Sequence, residues 1–176
     1  MANYKADPTS RDAIRKFTKY IRKKTGYENI LYFPIVRFLE LFIPEIMPDF
    51  QMEILPHEEM DNKCGETKPS EHKIILDEEI YNKAIDGDGF ARFTIAHEIG
   101  HLFMHESDSI SLCKLKPNES LKAYEDPEWQ ADAFGGELLA PGYLIDGLSI
   151  NEISEKCGVT EKAAKVQKSK SNLRKR

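Results

Sequence analysis

Apolar and polar positions change period several times along the chain, and each change marks an element. In SRDAIRKFTKYIRKK, residues 10–24, Ile14, Phe17 and Ile21 recur on one face among Lys and Arg. This predicts an amphipathic helix with Ser10 as its cap and Gly26 as its end. From Pro34, a favourable first-turn residue, a second helix buries Ile35, Phe38, Leu39 and Phe42 until Pro44 and Pro48 interrupt it. The period then shortens. FQMEIL (50–55) alternates and KIIL (73–76) is short and branched, so both read as strands, with the polar GETKPSEH between them as a turn or exposed loop. The segment around Met60 to Cys64 is the candidate third strand. Asp77 caps a short helix through Ala84, and Gly87 and Gly89 mark the break before a further helix. Residues 106–124 are polar and without clear period, a loop long enough either to border a cleft or to be simply disordered. A helix from Asp126 or Pro127 to Leu139 ends at Pro141 and Gly142. INEISEKCGVTEKAAKV then reads as two short helices, with a turn at Gly158 and a cap at Thr160, in the pattern of a helix-turn-helix. The fold class is therefore α+β: mostly helical, with a small three-stranded sheet, in a domain of residues 1–145 followed by a helical segment and basic tail, 146–176.

The stretch FTIAHEIGHLFMH, residues 93–105, stands apart. Phe93, Ile95, Ala96, Ile99, Leu102, Phe103 and Met104 fall on no single stripe, which predicts a helix buried on all sides. Yet it carries His97, Glu98 and His101, and polar groups in a dry interior are unfavourable unless something satisfies them.

A metal ion would. Residues four apart lie on one helix face about 6 Å apart along the axis, so the imidazoles of His97 and His101 can converge on one small cation. Glu98, about 100° round the helix, can take a proton from a water on the same ion without being a ligand. HExxH on a helix is the zincin signature of two zinc ligands and a general base. A third ligand is needed, leaving one position open. HExxHxxGxxH is excluded, because Met104 and Ser107 stand where Gly and His would be. EWQADAFGGELLAP, residues 128–141, offers Glu128 and, one turn later, Asp132, with the small Ala131 between them. Glu128 could close a His2Glu set, and Asp132 could accept from the far nitrogen of a ligand histidine and fix its tautomer. Gly100 lets another segment approach the helix closely. His105, one turn beyond His101, could hydrogen-bond near the metal, although a partly exposed structural histidine is the preferred reading. Cys113 could fill the open metal position, and Arg92 and Tyr124 could stabilise an oxyanion, although a structural role suits each of these three better.

RFTIAHEIGHLFMH, followed by Glu128 and ADAFGGELLAP, resembles the ImmA/IrrE family of bacterial metallopeptidases over about residues 30–160. The resemblance implies a zincin-like fold with His97, His101 and Glu128 on Zn2+ and Glu98 as the base. It also implies a protein substrate, since family members often act on DNA-binding repressors of mobile elements or stress genes. Gly135 stands where Ala is usual in the family and Ala140 where Met is usual, departures that concern packing and touch no proposed ligand.

Charge sharpens the expectation. The net charge of −5 comes from 25 Lys and Arg against 30 Asp and Glu. Residues 1–24 hold eight Lys and Arg against two acids, residues 161–176 seven against one, and the middle therefore carries −17. Such a body favours a basic partner and repels nucleic acid, unless its acids are only the solvated faces of helices. Lys162, Lys165 and Lys168 could meet phosphates, but a packing or substrate-docking element with a basic tail is the preferred reading of 146–176 over direct DNA binding. Cys64, Cys113 and Cys157 are widely spaced and form no CxxC pair, which leaves them as free thiols. With neither a secretory leader nor a membrane span in the pattern, the expected protein is a cytoplasmic zinc endopeptidase cleaving a helix-turn-helix repressor. The rival is a regulatory protein with structural zinc that sequesters a repressor or touches DNA through its C-terminal helices.

Overall fold

Two largely apolar segments, one helical and one extended, organise the fold because most of their surface must be kept from water. The computed structural model describes residues 4–105, 113–114 and 120–172. Its elements are β1 (Tyr4–Lys5), α1 (Arg11–Lys24), α2 (Ile35–Arg37), a π-helical turn (Phe38–Phe42), α3 (Ile43–Ile46), β2 (Gln51–Leu55), β3 (Gly65–Lys68) and β4 (Lys73–Asp77). They continue with α4 (Glu78–Ile85), α5 (Gly89–Met104), β5 (Cys113–Lys114), α6 (Pro127–Leu139), α7 (Ile150–Cys157) and α8 (Glu161–Asn172). About 60% of the described residues are helical, beside a small three-stranded sheet, which makes the class α+β. Among the described residues no helix is long and apolar enough to cross a membrane.

The sheet has the order β2-β4-β3. β4 lies in the middle, parallel to β2 (Gln51 opposite Lys73, Leu55 opposite Asp77) and antiparallel to β3 (Gly65 opposite Leu76, Lys68 opposite Lys73). Ile74, Ile75 and Leu76 are buried, so a run that is apolar on both faces takes the central place. The third strand is therefore not Met60–Cys64 but the polar GETK, within the segment the pattern assigns to a turn. Met60–Cys64 instead forms the tight connection before it, with Asp61 and Asn62 at positive φ. What β3 contributes is its backbone: β4 needs a hydrogen-bonding partner on each edge whatever that partner's side chains are.

The helices follow their caps. Ser10 accepts from Ala13 N–H at the start of α1, Asp77 caps α4, Asp88 caps α5 and Asp126 caps α6, with Pro127 in its first turn. Gly89 is thus the first residue of α5 rather than part of the break. Pro44 does not interrupt its helix either. The chain widens at Phe38–Phe42, Ile43 N–H reaches back to Phe38 O, and helical residues continue to Ile46. α7 opens with a reciprocal capping box between Ser149 and Glu152 and ends at Gly158 in the left-handed conformation.

α5 runs through the core with Ala91, Ile95, Ala96, Ile99 and Leu102 buried, against Phe134 and Leu138 of α6, Ile74 and Leu76 of β4, and Ile14 and Ile21 of α1. Ile153, Cys157, Val159 and Ala164 of the C-terminal pair belong to the same cluster. Buried cations clamp these pieces. Arg22 donates to the carbonyls of Tyr27, Ile30 and Leu138, and Arg92, 1% exposed, donates to those of Phe33, Cys157 and Gly158. Arg92 is therefore occupied with backbone and is a structural residue. Glu137 holds Arg11 at 2.8 Å and Arg15 at 3.1 Å, tying α1 to α6.

The tightest approach is between α5 and α6. A Cβ on Gly100 would lie 3.1 Å from Ala131 Cα and 3.2 Å from Ala131 O, atoms of a helical backbone that cannot swing aside. Gly100→Ala is accordingly expected to destabilise the fold by about 1–3 kcal/mol through overpacking. Urea unfolding checks this: the midpoint should fall while the slope stays unchanged.

Candidate metal centre

The axial packing of α5 on α6 places their polar residues opposite one another. His97 and His101 lie one turn apart on α5, while Glu128 occupies the first turn of α6, where the helix dipole favours a carboxylate. The three side chains converge. The Nε2 atoms of His97 and His101 are 3.0 Å apart, and the Glu128 carboxylate oxygens lie 3.3 Å from His97 Nε2 and 3.4 Å from His101 Nε2. Donors about 2.0–2.2 Å from a tetrahedral ion stand roughly 3.3 Å from one another, so this set has the spacing of a three-ligand divalent site.

The far nitrogens are engaged as well. His97 Nδ1 lies 2.8 Å from Asp132 Oδ1, on the residue one turn beyond Glu128. His101 Nδ1 lies 2.9 Å from His105 Nδ1, and His105 Nε2 lies 2.9 Å from Gln130 Oε1. His105 is thus buried, 3% exposed, rather than the partly exposed residue the pattern suggests, and it touches the cluster.

Glu98 points toward β3. Its carboxylate accepts from the Thr67 hydroxyl at 2.6 Å, and that hydroxyl also lies 3.0 Å from the Glu98 backbone carbonyl. Gly65 explains how they fit, since a Cβ there would be 2.9 Å from Glu98 Cγ. Thr67 was not legible as a site residue, because it lies in a polar stretch without hydrophobic period. Tyr124 is exposed and serves the site only through its backbone carbonyl, and the side chain of Cys113 lies outside the described residues.

Beside the cluster a cleft of about 500 Å³ runs between α5, α6 and α8. Phe90, Phe93, Trp129 and Val166 make its apolar walls, His97 and Asp132 stand at one side, and Lys162 and Lys170 at another. A second group, His57, Asp77 and Glu79, also brings ligand atoms within 4.8 Å of one another. There, however, Asp77 is committed, one oxygen capping α4 and the other 2.5 Å from His57 Nδ1.

The electrostatics of the metal-free cluster are those of cations and anions held together. Burial works against a charged His97, but Asp132 and Glu128 outweigh it and raise its pKa to about 10. His101 and His97 hold Glu128 far below the ordinary carboxylate range. Burial brings His105 down to about 4, so it is neutral at physiological pH.

Residues 80–167, half of the chain, match the family model for Peptidase_M78, the IrrE N-terminal-like domain. The match includes the whole metal cluster and reaches into α8. No curated protein matches the chain.

The raised His97 pKa fixes the sign of a pH effect in metal-free protein. Its stabilising contribution is complete below 6.5, where the unfolded chain also carries the proton, and is lost as pH rises through about 10. Thermal unfolding in a chelator from pH 6 to 10 is expected to show wild type losing more melting temperature than His97→Gln, which has no titrating group at that position.

Proposed function

The chain belongs to the IrrE N-terminal-like family of metallopeptidases, and from that premise we propose that it is a zinc-dependent endopeptidase of zincin type, acting in the cytoplasm on a DNA-binding repressor. The observation that carries the proposal is the meeting of His97, His101 and Glu128 at ligand spacing, with the buried carboxylate of Glu98 next to them in sequence.

His97, His101 and Glu128 would hold the ion, and two imidazoles with one carboxylate suit zinc. Bound there, zinc supplies Lewis acidity that makes water acidic near pH 7 and stabilises negative charge on a carbonyl oxygen. Everything else falls to the chain. Glu98, oriented by Thr67, takes the proton from the attacking water and returns it to the leaving amine. Asp132 keeps a proton on His97 Nδ1, so that Nε2 presents its lone pair.

Among the described residues β3 pairs only with β4, so its outer edge, at the level of Glu98, offers backbone hydrogen bonds to an extended peptide. The apolar cleft beside His97 would receive a side chain of that peptide. α8 then serves as a wall of the cleft rather than as part of a DNA reader, in keeping with Ala164 and Gln167 being buried against the body. A charge of −17 on residues 25–160 favours a basic substrate, the character of most DNA-binding repressors.

Incubating the zinc-loaded protein with small helix-turn-helix repressors, and mapping products by mass spectrometry, tests the proposal. Glu98→Gln is expected to keep fold and zinc while lowering cleavage by about 10²–10⁴-fold. His97→Ala should release the metal and lower thermal stability. Undiminished cleavage by Glu98→Gln would remove it as the base. If wild type cuts nothing but binds the repressor, the protein is a sequestering factor with structural zinc.

A further inference from the structure

His97 and His101 are presented to the metal in different ways. The partner of His97 is a carboxylate, which accepts whatever its orientation. The partner of His101 is another imidazole, which can donate or accept, so something further along must decide which.

That decision can be followed from the far end. The Gln130 side-chain nitrogen lies 2.8 Å from the carbonyl oxygens of both Asp7 and Tyr124. Only an amide NH2 fits between two carbonyls, so the amide oxygen must face His105 Nε2, at 2.9 Å. An amide oxygen accepts, hence His105 carries its proton on Nε2 and offers a lone pair at Nδ1. His105 Nδ1 faces His101 Nδ1 at 2.9 Å, so His101 donates there. The one nitrogen left bare on His101 is Nε2, the atom that lies 3.0 Å from His97 Nε2 and 3.4 Å from Glu128. Turning the Gln130 amide over would reverse every bond in the series and put a hydrogen on Nε2, closing that position to a cation.

We infer that Gln130 and His105 are positioning residues that set the tautomer of His101, and that the Asp7 carbonyl of the N-terminal segment is one of the two anchors that fix their polarity. The inference rests on the metallopeptidase reading of the cluster. The N-terminal segment is held where this role requires it: Ala6 N–H donates to Glu125 O at 2.8 Å, Thr9 N–H to Tyr124 O at 2.9 Å, and Lys5 pairs with Glu125 at 3.0 Å. Residues 5–9 and 122–126 thereby form a small clip whose two carbonyls face inward onto Gln130.

The test compares full-length wild type with His105→Leu, His105→Gln and Gln130→Met. Zn2+ affinity is measured by competition with a chromophoric chelator, and imidazole protons are followed by ¹⁵N-resolved NMR of the zinc-loaded proteins. Wild type should show slowly exchanging protons on His101 Nδ1 and His105 Nε2. His105→Leu should lose both and bind Zn2+ about 10–100-fold more weakly. His105→Gln, whose amide oxygen can accept from His101 Nδ1, should recover most of the affinity, and Gln130→Met should weaken binding within the same range. Unchanged affinity in folded His105→Leu, or equal losses in the Leu and Gln variants, would overturn the inference. So would a wild-type spectrum with the His101 proton on Nε2, which needs no variant to fold. Failure of wild type itself to bind Zn2+ would overturn the metal reading instead, and the two failures are therefore distinguishable.

Discussion

The structure depends on how closely α5 can lie against α6. Gly100 faces the backbone of Ala131, and Gly135 faces the backbone of His97, so along this seam at least one of the two helices has no side chain to hold the other away. The separation of the His97 and His101 imidazoles from the Glu128 carboxylate is set by that seam, because all three project from these two helices. A change of an ångström in helix spacing would move the donors out of ligand range and disturb the close packing of the core at the same time. The small residues of the two motifs are thus as much a part of the candidate metal centre as its donors.

The second constraint is polar satisfaction in an apolar helix. α5 is buried on most of its circumference, yet among the described residues no buried side-chain nitrogen or oxygen lacks a partner. Each polar residue of α5 has its own solution: Arg92 bonds three carbonyls, Glu98 takes the Thr67 hydroxyl, and His97 takes Asp132. His101 is linked through His105 and Gln130 to the N-terminal segment. These partners come from the segment before α2, the end of α7, β3, α6, the turn before α6 and the N-terminal segment, so a single helix gathers most of the fold around it. Stability and site geometry are coupled for this reason.

Much of this was legible in the sequence, for identifiable reasons. The capped helices were, because Ser10, Asp77 and Pro127 act locally, and so was β4, because an unbroken branched run can only be a buried strand. Helical spacing made His97 and His101 legible as one pair and Glu128 and Asp132 as another, while the joining of the two pairs came from the need for a third ligand and from the family resemblance. β3 was not, since it is recruited by the needs of its neighbour and carries no pattern of its own. The continuation through Pro44 was hidden because a widened turn removes the clash that normally makes proline a stop. Gln130 escaped, and His105 was legible only as a histidine within reach of the cluster, because their importance lies in a chain of donors and acceptors between segments far apart in sequence, and periodicity describes only what one element does.

Thr67 joins the edge strand to the buried glutamate by a single hydroxyl that touches both the side chain and the main chain of Glu98. On the proposed function, a polypeptide zipped along that edge would be registered like a tape against a fixed mark, with the bond to be cut counted in residues from Thr67. Selection would then rest on whether a stretch of the target can be drawn out straight, and only secondarily on which amino acids it contains. A tightly folded repressor would be spared and its hinge or linker taken, so the flexibility of the target would itself become part of the recognition code.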